Sequence, residues 1–171
     1  MSNLEERASM YALAAHTAAG NIRKYTGEPY IVHPRRVVAL LRKHYAATEL
    51  HKRPAIIAAT WLHDVVEDTH CTIDNIRHIF GQDVASIVAG LTDDKTPETR
   101  AGRKALACIN LGQQEPIVQT IKCCDIIDNC NGMRIEDPEF FKQYSREKRE
   151  LLLHLDKANP ILWNLAMEAS L

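Results

Sequence analysis

Four side chains that can bind a metal ion or move a proton lie within one heptad of the sequence. The heptad reads H-D-V-V-E-D-T and contains His63, Asp64, Glu67 and Asp68. On a helix, Glu67 would lie one turn after His63 and Asp64, on the same face. Imidazole and carboxylate groups at this density are typical of a metal-dependent hydrolytic site.

The alternative is that this heptad is an exposed acidic helix end, since charged pairs usually face solvent. The preceding run at 56–62, I-I-A-A-T-W-L, argues against that alternative because it is apolar all round and predicts a buried helix. Such a helix carries its charged end toward the interior or a cleft, where buried carboxylates need a cation or partners. We therefore predict that the heptad faces a site.

Further metal ligands must come from elsewhere, because one histidine–aspartate pair leaves most of a coordination sphere unfilled. His33, which precedes Pro34 at the end of an irregular segment, is one candidate, although a histidine there is more often a surface or capping residue. Asp125 is the other candidate. Its segment, 121–129, is largely apolar, so its carboxylate needs a functional or ion-pair partner. The six remaining histidines, including His16, lack a partner at ligand spacing and are interpreted as surface or core residues.

Helices must position these residues, because strand patterns hardly occur in the sequence. Prolines recur where a helix can begin, and three follow a capping residue, at Thr96-Pro97, Asp137-Pro138 and Asn159-Pro160. The sequence predicts an all-α fold of about nine helices, near residues 3–19, 34–46, 54–67, 73–80, 83–91, 97–110, 116–130, 138–156 and 160–169. Residues 20–33 form the one long irregular segment, which we predict to be functional and anchored at 30–32.

Length and composition limit the classes of protein to consider. The 171 residues, 46% of them hydrophobic, predict one domain over residues 1–171. A net charge of −1 gives no general field for nucleic acid or an anionic membrane, so neither is expected as a partner. No signal segment or membrane-spanning run occurs, and five cysteines without a C-x-x-C spacing favour reduced thiols. We expect a cytoplasmic protein, and the oligomeric state stays open.

An ordered set of motifs resembles the hydrolase domain of the RelA/SpoT family. The set consists of R-K at 23–24, G-E-P-Y-I-V-H-P at 27–34, L-H-D-V-V-E-D-T at 62–69, F-G at 80–81, G-L-T-D-D-K-T at 90–96 and K-x-x-D-x-x-x-N at 122–129. Each motif alone is modest, but the ordered set is very specific, and it spans roughly residues 8–134. The T-D-D-K-T segment and the short chain are most similar to the stand-alone small alarmone hydrolases and the animal SpoT-like enzyme.

This resemblance implies an HD-superfamily helical bundle that binds one Mn²⁺ per chain, through the positions of His33, His63, Asp64 and Asp125. The implied reaction removes the 3′-diphosphate of ppGpp or pppGpp, the alarmones of the stringent response, and gives GDP or GTP and pyrophosphate, without synthetase activity. Two imidazoles and two carboxylates suit Mn²⁺ better than Mg²⁺. The sequence does not distinguish Mn²⁺ from Fe²⁺, Co²⁺ or Zn²⁺.

Two acidic residues remain for the proton transfers of this reaction. Glu67 lies on the metal face but outside the ligand set, and we predict that it transfers a proton to or from the attacking water or the leaving oxygen. Asp68 is predicted to orient the water or its partner.

Substrate contacts are implied by the resemblance. Arg23 and Lys24 match the family's nucleotide-contacting pair, with the arginine against the base and the lysine holding the nucleotide. Without the resemblance, both would be interpreted as solvated loop charges. Lys95 is expected to reach a phosphate, and Asn129 matches a residue that contacts the nucleoside.

The chain departs from the family pattern beside these positions. Asn21 stands where many members have glutamine, Cys124 and Ile126 replace an alanine and an arginine around Asp125, and Asp128 replaces a histidine. These changes affect the pocket more than the ligands, so the same chemistry on (p)ppApp or on the 2′-phosphate of NADPH is an alternative. A non-catalytic nucleotide sensor is a third hypothesis, which the retained metal ligands and acidic pair disfavour.

Overall fold

The computed structural model describes residues 4–24 and 26–171, and over these residues the chain forms eleven helices. The predicted all-α class is confirmed, since the only extended pairing among the described residues is a single antiparallel bridge between Ile22 and Pro29. None of the described helices combines the length and the apolar character needed to cross a bilayer. The chain divides into two compact units, Met1–Thr92 and Asp93–Leu171. One domain over residues 1–171 stays a prediction.

The first unit is built around one short apolar helix. Its helices are α1 (Leu4–Ala18), α2 (Val32–His44), α3 (Ala47–Lys52), α4 (Pro54–Leu62), α5 (Val65–Asp68), α6 (Ile73–Phe80) and α7 (Gln82–Leu91). Helix α4 packs against α1, α2 and α7, which is possible because it is apolar on all sides. On α1, Ala8 and Ala12 have no exposed surface and allow close packing. The end of α4, where the heptad begins, is therefore held in the interior of this unit.

The helix predicted over residues 54–67 is divided, and its predicted continuity is wrong. Helix α4 ends at Leu62, and Asp64 has φ −97° and ψ −6°, far from the helical ψ of about −42°. In a continuous helix, neighbouring side chains point about 100° apart. The turn at 63–64 instead lets His63 and Asp64 converge. This division and the unpredicted α3 explain why eleven helices replace about nine.

The second unit is built around a long helix. It contains α8 (Arg100–Gln113), α9 (Pro116–Glu136), α10 (Pro138–Leu152) and α11 (Pro160–Ala169), and the other three pack against α9. The side chains of Cys123 and Cys124 are completely buried in α9. Burial raises the pKa of the Cys123 thiol to about 12, so this thiol stays protonated and unreactive at neutral pH.

Two of the three predicted proline-containing helix starts have the predicted cap. Asp137 accepts a hydrogen bond from the backbone N–H of Phe140 at 3.1 Å, and Asn159 caps α11 in the same way. The start predicted at Thr96-Pro97 is wrong, because α8 begins at Arg100 and Thr99 is its cap. Residues 94–96, which precede α8, form an Asx turn, in which the Asp94 carboxylate accepts a hydrogen bond from the Thr96 N–H at 2.8 Å.

Lys148 is an unusual core residue of this second unit. The residue is only 7% exposed, and its ammonium lies 4.9 Å from the centre of the Tyr144 ring. Burial, followed by the charge of Lys122, lowers the pKa of Lys148 to about 8, although Asp125 and Asp93 act in the opposite direction. The folded protein therefore binds this proton more weakly than the unfolded chain does.

We expect the free energy of unfolding to rise with pH from about 8 to about 10.5, because the unfolded lysine keeps its proton to a higher pH than Lys148 in the folded state. The gain from this group should approach about 3 kcal/mol. Urea denaturation across this range, compared with Lys148→Met, isolates the contribution. Lys142→Met, on the same helix with a 69% exposed side chain, is the matched control. If the free energy of unfolding rose with pH as steeply in Lys148→Met as in the wild type, Lys148 would not be the group responsible for the rise.

Candidate metal centre

Three of the four predicted metal ligands meet in the first unit. The Nε2 atoms of His33 and His63 lie 3.2 Å apart, and each lies 3.2 Å from Oδ2 of Asp64. Both imidazoles are buried, while the Asp64 side chain remains 16% exposed. The three ligand atoms all lie within 4.8 Å of one another, so they can bind one metal ion.

The donor chemistry fits a divalent transition ion. Nδ1 of His63 lies 2.8 Å from the carbonyl oxygen of Thr60, which can only accept, so Nδ1 carries the proton and the Nε2 lone pair faces the other ligands. This carbonyl contact is the outer support that metal-binding histidines usually have. A cation between two imidazoles and a carboxylate would satisfy all three groups, and this mixed nitrogen and oxygen set suits transition ions better than Mg²⁺.

Asp64 is held in its ionised form. Burial opposes the ionisation, but the positive charge and hydrogen bonds that His63 and His33 offer when both their ring nitrogens are protonated keep the pKa of Asp64 well below its usual range, and a bound cation would take the place of the Nε2 protons. Its Oδ2 also accepts a hydrogen bond from the Tyr30 hydroxyl at 2.7 Å. Burial and the charges of Asp64 and Asp68 raise the pKa of Tyr30 far above its ordinary value, so Tyr30 remains a donor. Asp64 is therefore available as an anionic ligand.

The loop before α2 positions His33. Its turn is closed by hydrogen bonds between Arg23 N–H and the Glu28 carbonyl, and between Gly27 N–H and the Arg23 carbonyl, both at 2.9 Å. Gly27 has φ +68°, a conformation that favours glycine because it lacks a Cβ. The N–H of His33 then donates to the Tyr30 carbonyl at 2.9 Å, in the first turn of α2. The segment at 30–32 is anchored, as the sequence predicted.

The other predicted site residues of the first unit are close to the three ligands along the sequence. Glu67 is half-buried and Asp68 exposed, both on α5 directly after the ligands. Arg23 is half-buried, with its guanidinium 5.9 Å from the centre of the Tyr30 ring, and Lys24 is exposed. The catalytic and nucleotide-binding roles of these four residues stay predictions.

Two predicted residues of the second unit, Asp125 and Asn129, lie on α9 and form a hydrogen bond. Asp125 is 4% exposed; its Oδ2 lies 2.9 Å from Nζ of Lys122 and its Oδ1 accepts from Nδ2 of Asn129 at 2.5 Å. The structure thus shows the ion pair that the sequence left open for Asp125. Lys95 is exposed near the start of this unit. Metal binding by Asp125 and substrate contacts of Asn129 and Lys95 stay predictions.

His16, interpreted from the sequence as a surface or core residue, is a core residue, and its contact with the Tyr30 ring was not predicted. This residue is 2% exposed, and its ring stacks on Tyr30 with centroids 4.4 Å apart. Burial lowers its pKa to about 4, so the imidazole is neutral at pH 7. The signal was present in the sequence, because Ala8, Ala12 and His16 follow one another at four-residue intervals and share the buried face of α1.

Comparison with known proteins places this arrangement in a family. The sequence model of the protein family described as the HD domain matches residues 8–111 of this chain. The chain belongs to the HD domain family. Among curated relatives of this HD domain protein, it is 31% identical over 120 residues to guanosine-3′,5′-bis(diphosphate) 3′-pyrophosphohydrolase of Drosophila melanogaster, covering 70% of this chain and 64% of the relative. It is 32% identical over 153 residues to a probable enzyme of the same name from Synechocystis, covering 85% of this chain.

The HD domain protein spans only 19% of the length of the Synechocystis relative. It is also 33% identical to a GTP pyrophosphokinase of Streptomyces coelicolor, in a match that covers 96% of this chain and 19% of that relative. Among solved structures, a metazoan ortholog of SpoT that hydrolyses ppGpp superposes with a TM-score of 0.86 at 27% identity, covering 99% of this chain and 94% of the ortholog. These matches confirm the predicted resemblance and the helical HD fold.

Proposed function

We propose that this HD domain protein is a metal-dependent hydrolase that removes the 3′-diphosphate of ppGpp or pppGpp and releases pyrophosphate with GDP or GTP. The observation that carries the proposal is the convergence of His33, His63 and Asp64 on one point. The same chain resembles, over nearly its whole length, a metazoan protein that hydrolyses ppGpp.

The proposed cofactor is one Mn²⁺ per chain, with another divalent transition ion as the alternative. His33, His63 and Asp64 supply three ligands, and Asp125 is proposed as the fourth on the strength of the sequence pattern. When bound, such an ion activates water and neutralises phosphate charge. The chain itself contributes orientation, because the Thr60 carbonyl and the Tyr30 hydroxyl hold His63 and Asp64 in place.

The remaining side chains then handle the proton and the nucleotide. Glu67, half-buried on α5, is proposed to exchange a proton with the attacking water or the leaving oxygen, with Asp68 orienting the water. Arg23 and Lys24 are proposed to hold the base and the nucleotide, because a planar guanidinium stacks on a purine and an ammonium attracts phosphate. Lys95 and Asn129 are proposed as further contacts to a phosphate and the nucleoside.

The proposed partner is a small nucleotide, not a nucleic acid, because the net charge of −1 offers no general attraction to a polyanion. The proposed location is the cytoplasm. Five free cysteines, four of them buried, are consistent with a reducing compartment.

We expect the purified protein to release pyrophosphate from ppGpp with Mn²⁺, to lose this activity in excess chelator and to regain it when Mn²⁺ is restored. Product analysis by ³¹P nuclear magnetic resonance should show guanosine 5′-diphosphate and not its 3′-diphosphate isomer, which has the same charge, and this result distinguishes 3′ from 5′ cleavage. Parallel assays with ppApp and NADPH at one enzyme concentration rank the three substrates by kcat/KM. Absence of pyrophosphate release from ppGpp under these conditions would overturn the proposal.

A further inference from the structure

Tyr30 occupies a central position in the first unit. Its hydroxyl donates to Asp64 at 2.7 Å, and its ring stacks on His16 with centroids 4.4 Å apart and planes at 28°. The guanidinium of Arg23 lies 5.9 Å from the ring centre, and the His33 ring meets it edge-on at 5.8 Å. One aromatic side chain therefore contacts two candidate metal ligands and the predicted nucleotide-binding arginine.

The partner of this ring, His16, has a defined tautomer. Nδ2 of Asn21 lies 2.8 Å from the backbone carbonyl of Asp68 and 3.1 Å from Nδ1 of His16. A carbonyl oxygen only accepts, so the Asn21 atom is the amide nitrogen, and its second hydrogen points to His16. Nδ1 of His16 is therefore the acceptor and Nε2 carries the proton.

A buried imidazole at this position lowers the stability of the fold, because it buries a polar N–H group that an apolar ring would not have. Within the part of the chain that the structure describes, the buried Nε2 of His16 has no hydrogen-bond partner. An unmet buried donor is unfavourable, and phenylalanine would stack without it. Phenylalanine, however, could not accept from Asn21, whose amide also holds the end of α5 through the Asp68 carbonyl. His16 thus joins the Tyr30 ring to the segment that carries the acidic pair.

We propose that Tyr30 is a positioning residue for the metal ligand Asp64, and that Arg23 and His16 act on metal binding through the Tyr30 ring. The hydroxyl directs Oδ2 of Asp64 toward the two histidines, and the position of the ring depends on what lies against its faces. The proposal rests on the proposed function in taking Asp64 as a metal ligand and Arg23 as a nucleotide contact. A nucleotide that engages Arg23 would then alter the support of a metal ligand.

The first test is Mn²⁺ binding to nucleotide-free Tyr30→Phe, measured by calorimetry and by electron paramagnetic resonance of free Mn²⁺. The variant keeps the ring and its stack on His16 but loses the donor to Asp64. We expect the affinity to fall about tenfold, the lower end of the effect of losing an outer partner of a metal ligand. Tyr45→Phe, at the end of α2, removes a hydroxyl without a described hydrogen bond and should bind as the wild type does.

Circular dichroism and thermal unfolding of both variants show that they are folded. Wild-type Mn²⁺ affinity in folded Tyr30→Phe would overturn the proposal. Because no nucleotide is present, this outcome is separate from a failure to hydrolyse ppGpp, which would overturn the proposed function and leave the role of Tyr30 standing.

The second test is a double-mutant cycle between Arg23 and Tyr30. Arg23→Met should weaken Mn²⁺ binding about two- to fivefold when Tyr30 is present, the size of a cation–π contact at a partly exposed site. In the Tyr30→Leu background, which has no ring, Arg23→Met should have no further effect. Equal effects in both backgrounds would show that Arg23 acts independently of the ring and would overturn this part of the proposal.

Discussion

Asp64→Asn is expected to reduce pyrophosphate release from ppGpp by at least about a hundredfold, beyond the tenfold to hundredfold typical of a residue that only supports a ligand. The physical reason is that Oδ2 of Asp64 is the atom shared by the candidate centre, 3.2 Å from both imidazole nitrogens. The amide has the same shape but no charge, so it offers a metal ion a much weaker ligand. The measurement is kcat/KM at saturating Mn²⁺, together with Mn²⁺ affinity without nucleotide.

Asp74→Asn is the matched control for this substitution. Asp74 lies on α6 with an 84% exposed side chain, and its ion pair with Arg77 is a surface contact of little energetic value. This variant should keep the wild-type rate and affinity. If Asp64→Asn retained more than a tenth of the wild-type rate with unchanged Mn²⁺ binding, Asp64 would not be a metal ligand.

Asp125→Ala is expected to lower the free energy of unfolding by about 3–5 kcal/mol, even without metal. The carboxylate and the ammonium of Lys122 are 2.9 Å apart, with side chains only 5% and 11% exposed. Removal of Asp125 takes the carboxylate at 2.9 Å away from the buried ammonium of Lys122, and it takes an acceptor away from Asn129. Urea denaturation at pH 7 in the presence of chelator measures this loss.

The double variant Lys122→Met with Asp125→Leu is the control for the ion pair. It removes both charges and fills the space with apolar groups, so most of the lost stability should return. A single Asp125→Ala variant that costs less than about 1 kcal/mol would contradict a buried pair, because exposed ion pairs contribute no more than that.

The helical class and many helix ends follow from local signals in the sequence. Gly81, with φ +92°, ends α6, and Asp137 and Asn159 cap the helices that begin at the prolines after them. Such signals act between residues close in the chain, so they can be identified without a fold. Thr96-Pro97 shows the limit, since Thr99 lies three residues further on and the local signals do not rank these two caps.

The sequence and the resemblance predicted that His33, His63 and Asp64 serve one ion, but they did not predict the backbone turn that brings these ligand atoms together. Nothing in the local pattern marks the break between α4 and α5, and a continuous helix would have held His63 and Asp64 about 100° apart. The contact of His16 with Tyr30 was not predicted for a related reason. The significance of His16 depends on Tyr30, which belongs to a loop and not to the same helix, and only packing places one ring on the other.

By itself, the sequence determined the all-α class, the family resemblance and the side chains able to bind a metal, because these depend on residue type and short spacing. The tertiary structure alone decided three further features. It turned the chain at 63–64 so that three ligand atoms meet, it placed Tyr30 between His16 and Asp64, and it paired Asp125 with Lys122. The burial of groups from separate elements sets these contacts, and burial depends on how the helices pack and not on the sequence beside each residue.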